Sequence, residues 1–221
     1  MSKKVLISPS ILSADQSRLA DAIIECKKAG ADLIHIDIMD GHFVDNITIG
    51  PGVVKDLAKV AADVGIPLDV HLMISDPIKY LDSFIESKPE YLTVHQEATD
   101  HLHMALYKIK NAGIKAGVSI NPATSLIVLE EIIPMMDLLL IMTVNPGWGG
   151  QKYIDLVDDK ISMAREFIDA ENPDCLLEVD GGVNPENAQK LREMGVDILV
   201  AGNSAFHGAG TLAENIAVLR G

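Results

Sequence analysis

The amino-acid sequence predicts a single (β/α)8 barrel over residues 1–221, and three observations support that prediction. Strand-like and helix-like segments alternate eight times along the chain, at about 28 residues per unit. Strict alternation of this kind implies a parallel sheet that is covered by helices. No GxGxxG fingerprint follows the first strand, where the letters SPSIL stand instead. An open doubly wound sheet is therefore the weaker alternative.

The eight strand-like segments are short and rich in β-branched and aliphatic residues. They occupy residues 5–12, 33–39, 68–74, 91–95, 116–120, 138–144, 176–180 and 198–201. The amphipathic helical segments after them occupy residues 17–29, 53–64, 78–86, 101–112, 125–132, 154–170, 185–194 and 213–219. Gly30, Gly113 and Gly195 each follow a helical segment, as is typical of helix C-termini.

The composition excludes several classes of protein. The formal net charge is −14, from 32 acidic and 18 basic residues, which disfavours binding to nucleic acid or to an anionic membrane surface. Hydrophobic residues make up 48% of the chain, too many for intrinsic disorder, but no apolar run is long enough to span a membrane. Cys26 and Cys175 lie outside any CxxC motif and no signal peptide is visible, so we expect a reduced, cytoplasmic protein.

Four strands carry polar, mostly ionisable, side chains opposite their aliphatic face, where a barrel strand faces the interior. The pairs are His35 and Asp37, Asp69 and His71, Thr93 and His95, and Glu178 and Asp180. A barrel interior is normally filled with Val, Ile and Leu, and a buried polar group without partners is costly. The pattern therefore predicts a functional site, with mutual hydrogen bonding among these groups as the alternative interpretation.

Two imidazoles and two carboxylates of this set suit one divalent metal ion: Zn²⁺, Fe²⁺, Mn²⁺ or Co²⁺. The predicted ligands are His35, Asp37, His71 and Asp180. Asp37 and Asp180 belong to the second and seventh strands and would stand on different sides of the barrel mouth. They could therefore flank a substrate and act as a paired acid and base.

Glycines cluster in the loops that follow strands six, seven and eight. These loops read NPGWGGQ at 145–151, DGG at 180–182 and AGN at 201–203. Glycine lets the backbone approach an anion closely, and barrels often bind phosphate with the loops after strands seven and eight. We therefore expect backbone N–H groups to hold a phosphate here, despite the acidity of the chain. Met39, Met73 and Met142 end strands on the inner face, where methionine ordinarily fills gaps.

Together, the segments SPSILSAD, HIDIMDGHFVDNITIG, DVHLMI, MTVNPGWGGQKYI, EVDGGVNPEN and VAGNSAF resemble those of the ribulose-phosphate 3-epimerase family. The resemblance runs from about Ser8 to the C-terminal helix. It implies a TIM barrel, a divalent metal on the four predicted ligands, and proton transfer by Asp37 and Asp180. It also implies a small phosphorylated ketose substrate, with interconversion of D-ribulose 5-phosphate and D-xylulose 5-phosphate, and a homo-oligomer.

The resemblance also implies which residues surround the substrate. Ser10 and His71 would contact it, and Met39, Met73 and Met142 would line the site near the enediolate. The phosphate would be cradled by Gly147, Trp148, Gly149, Gly150, Gly181, Gly182, Gly202 and Asn203.

Three alternative functions stay open at this point. The first is a 3-epimerase for a hexulose 6-phosphate such as allulose 6-phosphate. Trp148 and Asn203 stand where the family usually has Phe and Ser, at the predicted phosphate end, which leaves the sugar length open. The second is a lyase of the D-x-K-x-x-D type, but Met39 occupies the position of its lysine. The third is a phosphosugar-binding protein without catalytic activity.

Overall fold

A computed structural model describes residues 4–221 and contains the predicted barrel. Its strands are β1 (Leu6–Pro9), β2 (Ile34–Met39), β3 (Leu68–Met73), β4 (Tyr91–His95), β5 (Lys115–Ile120), β6 (Leu138–Met142), β7 (Leu176–Asp180) and β8 (Ile198–Ala201). The eight strands are hydrogen-bonded in the order β2 to β8 and then β1, and every pair is parallel. The fold prediction is confirmed.

Helices cover the outside of the sheet. They are α1 (Leu19–Lys28), α2 (Pro51–Val64), α3 (Leu81–Ile85), α4 (Leu102–Asn111), α5 (Asp158–Glu171), α6 (Pro185–Glu193), α7 (Asn203–Phe206) and α8 (Leu212–Arg220). The outward faces of the strands and the inward faces of the helices form one large apolar core. The short helix α7, directly after β8, has no counterpart in the sequence prediction. Within residues 4–221, no helix is both long and apolar enough to cross a membrane.

The connection from β5 to β6 differs from the prediction. We expect a helix over residues 125–132, but the chain forms two 3-10 turns, Leu126–Leu129 and Ile133–Met135. Pro134 lies in the second turn and has no N–H to donate, so a regular α-helix could not continue through this residue. In the described part of the chain, this unit therefore crosses the sheet without an α-helix.

The barrel is nearly closed, with a seam between β1 and β2. Leu6 and Ser10 donate their N–H groups toward β8, to carbonyls of Asp197 and Ala201. The alternate residues of β1 face β2, and there Pro9 has no N–H to give. A bridge between Ser10 and His35 completes the closure at the end of the barrel that carries the polar residues.

An apolar plug closes the other end of the barrel interior. It consists of Leu6, Leu33, Tyr91, Leu138, Leu176 and Ile198. The polar side chains of β2, β3, β4 and β7 lie above this plug, toward the carboxyl ends of the strands. Active sites of this fold are found at that end of the barrel.

Candidate active site

The four predicted metal ligands converge at the carboxyl ends of β2, β3 and β7. One ligand atom from each residue lies within 4.8 Å of the others. Oδ1 of Asp37 is 3.3 Å from Nε2 of His35 and 3.3 Å from Nδ1 of His71. Oδ2 of Asp180 is 3.8 Å and 3.9 Å from the same two nitrogens. The register of the parallel strands produces this cluster, because Asp37 is paired directly with His71.

The cluster fits a divalent cation. Ligands about 2.0–2.1 Å from a tetrahedral zinc ion lie roughly 3.3 Å from one another, close to the separations between these atoms. Nε2 of His35 is buried and has no hydrogen-bond partner, although such atoms are nearly always satisfied. Two imidazoles and two carboxylates are also a donor set for Zn²⁺, Fe²⁺, Mn²⁺ or Co²⁺.

Asp69 orients one of the two imidazoles. Its Oδ2 is 2.6 Å from Nδ1 of His35, and both side chains are fully buried. Because a carboxylate only accepts, Nδ1 of His35 carries a proton, and Nε2 is the nitrogen that remains for a cation at the cluster. The sequence pattern places Asp69 on the inner face but assigns it no role. Asp69 is two residues before the predicted ligand His71 and on the same face of the strand, and this spacing could have indicated that it lies beside the ligands.

The two carboxylates of the cluster have opposite electrostatic surroundings. Burial alone would raise the pKa of Asp37, but the imidazoles of His35 and His71 outweigh it and hold that pKa well below its usual range. Ser10 stabilises the same charge by donating from Oγ to Oδ2 of Asp37, at 2.5 Å. Burial, reinforced by the charge of Asp37, instead raises the pKa of Asp180 to about 7. One carboxylate is thus held ionised while its neighbour can carry a proton near neutral pH.

Glu178 lies one layer deeper and is fully buried. Burial, together with the charge of Asp69, raises the pKa of Glu178 well above its usual value. Glu178, Asp69 and His35 form a second group of close ligand atoms below the first. A neutral Glu178 therefore avoids a second uncompensated charge beside Asp69.

A cavity of about 380 Å³ opens above the cluster. Asp37 and Asp180 lie on its floor together with Ser10, while Met39, Met73 and Met142 line its lower wall. The rim contains every residue predicted to cradle phosphate: Gly147, Trp148, Gly149, Gly150, Gly181, Gly182, Gly202 and Asn203. His35 and His71 are fully buried beneath the floor and do not line the cavity. His71 therefore has no surface in the cavity with which to make the predicted contact with the substrate.

The rim depends on glycine where the loops approach one another. Gly182 has a φ of +65°, and a Cβ there would lie 2.4 Å from the backbone nitrogen of Tyr153. A Cβ on Gly150 would lie 2.7 Å from Nδ2 of Asn203. Of the lysines and arginines within residues 4–221, none lines the cavity. An anion at the rim would thus be held by backbone N–H groups and neutral side chains.

A chain of hydrogen bonds leads away from the cluster toward β4. Nε2 of His71 lies 2.8 Å from Nε2 of His95, and Nδ1 of His95 lies 3.3 Å from Oε2 of Glu97. Burial lowers the pKa of His95 to about 4. Burial would raise the pKa of Glu97, but hydrogen bonds from His95 and Thr124 outweigh it and lower that pKa to about 2. The sequence placed His95 on the inner face but gave no signal for Glu97, which lies beyond the end of β4.

Comparison with known proteins gives a consistent result. Residues 6–206 match the model of the ribulose-phosphate 3 epimerase family. The chain is 47% identical to a ribulose-phosphate 3-epimerase of Bacillus subtilis, covering 98% of this chain and 99% of that protein. It is 46% identical to the chloroplastic ribulose-5-phosphate-3-epimerase of Arabidopsis thaliana, covering 96% of this chain and 75% of that protein.

Solved structures of low identity show the same fold. A mutant tryptophan synthase α-subunit from Pyrococcus furiosus superposes with a TM-score of 0.71 at 13% identity, covering 99% of each chain. A 3-hexulose-6-phosphate synthase superposes with a TM-score of 0.66 at 15% identity, covering 98% of each chain. These likenesses concern the fold alone, because one barrel supports many chemistries.

Proposed function

Since this chain belongs to the ribulose-phosphate 3-epimerase family and is therefore an isomerase, we propose that Asp37 and Asp180 carry out its two proton transfers. The reaction interconverts D-ribulose 5-phosphate and D-xylulose 5-phosphate by inverting C3. Inversion needs a proton to leave one face of C3 and another to arrive at the opposite face. The observation that carries the proposal is the pair of carboxylates on the cavity floor, which β2 and β7 supply from different parts of the barrel.

In one direction, ionised Asp37 accepts the C3 proton, which is acidic because it lies beside the C2 carbonyl. Asp180 then supplies a proton to the other face of C3. Burial and the charge of Asp37 raise the pKa of Asp180 in the metal-free protein, and that direction supports its role as a proton donor. The two residues exchange roles in the reverse direction. Ser10 holds Asp37 in place through the hydrogen bond to Oδ2.

We further propose that His35, Asp37, His71 and Asp180 hold one divalent cation, with Zn²⁺, Fe²⁺, Mn²⁺ and Co²⁺ as the candidates. When bound, such an ion would polarise the C2 oxygen of the substrate as a Lewis acid. The orphaned Nε2 of His35 and the spacing of the four ligand atoms support this assignment. Asp69 fixes the tautomer in which His35 can serve as a ligand.

The remaining predicted residues bind and shield the substrate. The glycine rim and Asn203 would hold the phosphate, at the end of the cavity away from the carboxylates. The walls formed by Met39, Met73 and Met142 would keep water from the reacting carbon. A hexulose 6-phosphate is the alternative substrate, because the same chemistry operates on a sugar one carbon longer.

A coupled assay tests the proposal. The metal-loaded protein is given D-ribulose 5-phosphate and, in parallel, D-allulose 6-phosphate. We expect kcat/KM to be at least about 10-fold higher for the pentulose, the discrimination that one extra carbon allows. Preference for the hexulose would move the assignment to the longer sugar, and no turnover of either would refute the catalytic roles of Asp37 and Asp180.

Two broader properties are also proposed. Cys26 and Cys175 are both buried free thiols, which supports a reducing, cytoplasmic location and can be tested by cell fractionation. Ile127, Met163 and Phe167 line one mainly apolar surface pocket, and this patch supports a homo-oligomer. Sedimentation velocity tests that state directly, and a single species at the mass of one chain would contradict it.

A further inference from the structure

The mechanism above leaves one buried imidazole without a role. His95 points into the barrel from the end of β4 and is fully buried. Its ring is close to that of His71, at a centroid distance of 4.9 Å, and to that of Phe43, at 4.7 Å. The ring is therefore held in place by a predicted metal ligand and by the loop after β2.

The hydrogen bonds of Glu97 fix the proton of a neutral His95. Oε1 of Glu97 accepts the N–H of Asn121 at 2.7 Å and the hydroxyl of Thr124, and these two donors favour the ionised carboxylate, which only accepts. Its other oxygen, Oε2, faces Nδ1 of His95, which must therefore carry the proton. A neutral imidazole has one N–H, so Nε2 of His95 is an acceptor.

That acceptor determines the protonation of His71. Nε2 of His71 faces Nε2 of His95 at 2.8 Å, so it must be the donor of this hydrogen bond. The lone pair of His71 is then on Nδ1, the nitrogen that faces Oδ1 of Asp37 and Oδ2 of Asp180. Asp37 alone, at 3.3 Å and without a cation, would favour a proton on that nitrogen, so the chain of hydrogen bonds from Glu97 opposes it. This is the tautomer that a metal ligand needs.

We propose that Glu97, acting through His95, is a positioning residue that holds His71 in the tautomer whose Nδ1 can bind a metal ion. The inference rests on the proposed metal centre and extends it. The two histidine ligands would thus be oriented by different carboxylates. Asp69 contacts His35 directly from the neighbouring strand, whereas Glu97 reaches His71 through a second imidazole.

The substitution Glu97→Gln tests the relay because it reverses the direction of the hydrogen bonds. The N–H of Asn121 requires the amide oxygen of the new side chain, so the amide NH₂ group would face Nδ1 of His95. His95 would then donate from Nε2, and His71 would carry its proton on Nδ1, where the metal binds. We expect the affinity for Zn²⁺, measured by competition with a chromophoric chelator, to fall between 10-fold and 100-fold.

A control variant and an NMR measurement complete the test, and neither depends on enzyme activity. Glu86→Gln makes the same chemical change at a side chain that is 61% exposed, and we expect its Zn²⁺ affinity to match that of the unmodified protein within about 2-fold. Imidazole ¹⁵N NMR of the metal-free, unmodified protein should show His71 protonated on Nε2 and His95 protonated on Nδ1.

Distinct results separate the relay from the proposed function. Unchanged Zn²⁺ affinity in a folded Glu97→Gln variant, or protonation of His71 on Nδ1 in the unmodified protein, would overturn the relay while leaving the metal centre intact. Failure of the unmodified protein to bind Zn²⁺, Fe²⁺, Mn²⁺ or Co²⁺ would overturn the metal centre and the relay with it. Turnover without any metal would refute the role of the ion in the epimerase reaction.

Discussion

The floor and the rim of the cavity are built in different ways. The floor consists of side chains on strands of the barrel, such as the almost completely buried Asp37, with His71 directly beneath it. The rim consists of loop backbone after β6, β7 and β8, where glycines permit close approach. The side chains proposed to react with the substrate are thus on the sheet, and the groups proposed to bind its phosphate are in the loops. Changes at the floor should therefore affect kcat, and changes at the rim should affect KM.

The largest expected effect follows from removing either carboxylate. Asp37→Asn and Asp180→Asn should each lower kcat by about 10³-fold, because each removes a proton-transferring group and a predicted metal ligand. The coupled assay with D-ribulose 5-phosphate measures this loss. Asp56→Asn is the matched control, since Asp56 is 77% exposed on α2, and its kcat should be unchanged. Near-normal kcat in either floor variant would contradict the division between floor and rim.

A smaller effect is expected from lowering the pH in the absence of substrate. Asp180, with a pKa of about 7 in the metal-free protein, is mostly protonated below that pH and must lose its proton to bind a cation. The Zn²⁺ affinity should therefore fall by roughly 5-fold between pH 7 and pH 6 on account of this group alone. Calorimetry in buffers of different ionisation enthalpy measures the protons released. An affinity that rises as the pH falls would contradict the assignment.

A rim substitution should change binding and leave the chemical step alone. Gly149 does not have a positive φ, and an added Cβ would make only ordinary contacts, 3.7 Å from Oγ of Ser13. Gly149→Ala should therefore fold normally, yet raise KM for D-ribulose 5-phosphate about 10-fold by blocking one backbone contact with phosphate. Gly52→Ala, in α2 with open space around its Cβ, is the control. A loss in kcat instead of KM would show that the rim takes part in chemistry.

The smallest effect is expected at Asn203. Its Oδ1 lies 3.0 Å from Oγ of Ser13, so the side chain already has a partner at the edge of the rim. Asn203→Ser keeps the backbone N–H and should change KM for the pentulose by less than about 3-fold. Parallel kinetics with D-allulose 6-phosphate provide the comparison. A large gain in hexulose turnover would identify Asn203 as a determinant of sugar length.

The sequence predicted the floor better than its surroundings, for a physical reason. In a strand, alternation assigns each residue to one face, so the inner positions of His35, Asp37, His71 and Asp180 followed from the pattern alone. Which atoms would meet depends on register between strands, which the alternation does not specify. The orientation of His35 by Asp69 therefore emerged only from the paired strands.

Loops and turns limited the rest of the prediction. Residues 125–132 have a helical pattern, but the chain forms two short 3-10 turns, and Pro134 in the second turn prevents a longer regular helix. Glu97 lies in the connection after β4, where side-chain direction follows no period, and its contact with His95 is a tertiary feature. The short helix α7 likewise lacks the length over which a helical period can be recognised.

The most direct test of the central claim is hydrogen exchange at C3 of the substrate in D₂O, followed by NMR with the metal content of each variant verified. The unmodified protein should place solvent deuterium at C3 of the product. Asp37→Asn should exchange C3 of one epimer only and invert neither, and Asp180→Asn should do so for the other epimer. Inversion by a metal-loaded single variant at nearly the normal rate, or exchange of the same epimer by both variants, would contradict proton transfer by two carboxylates on opposite faces.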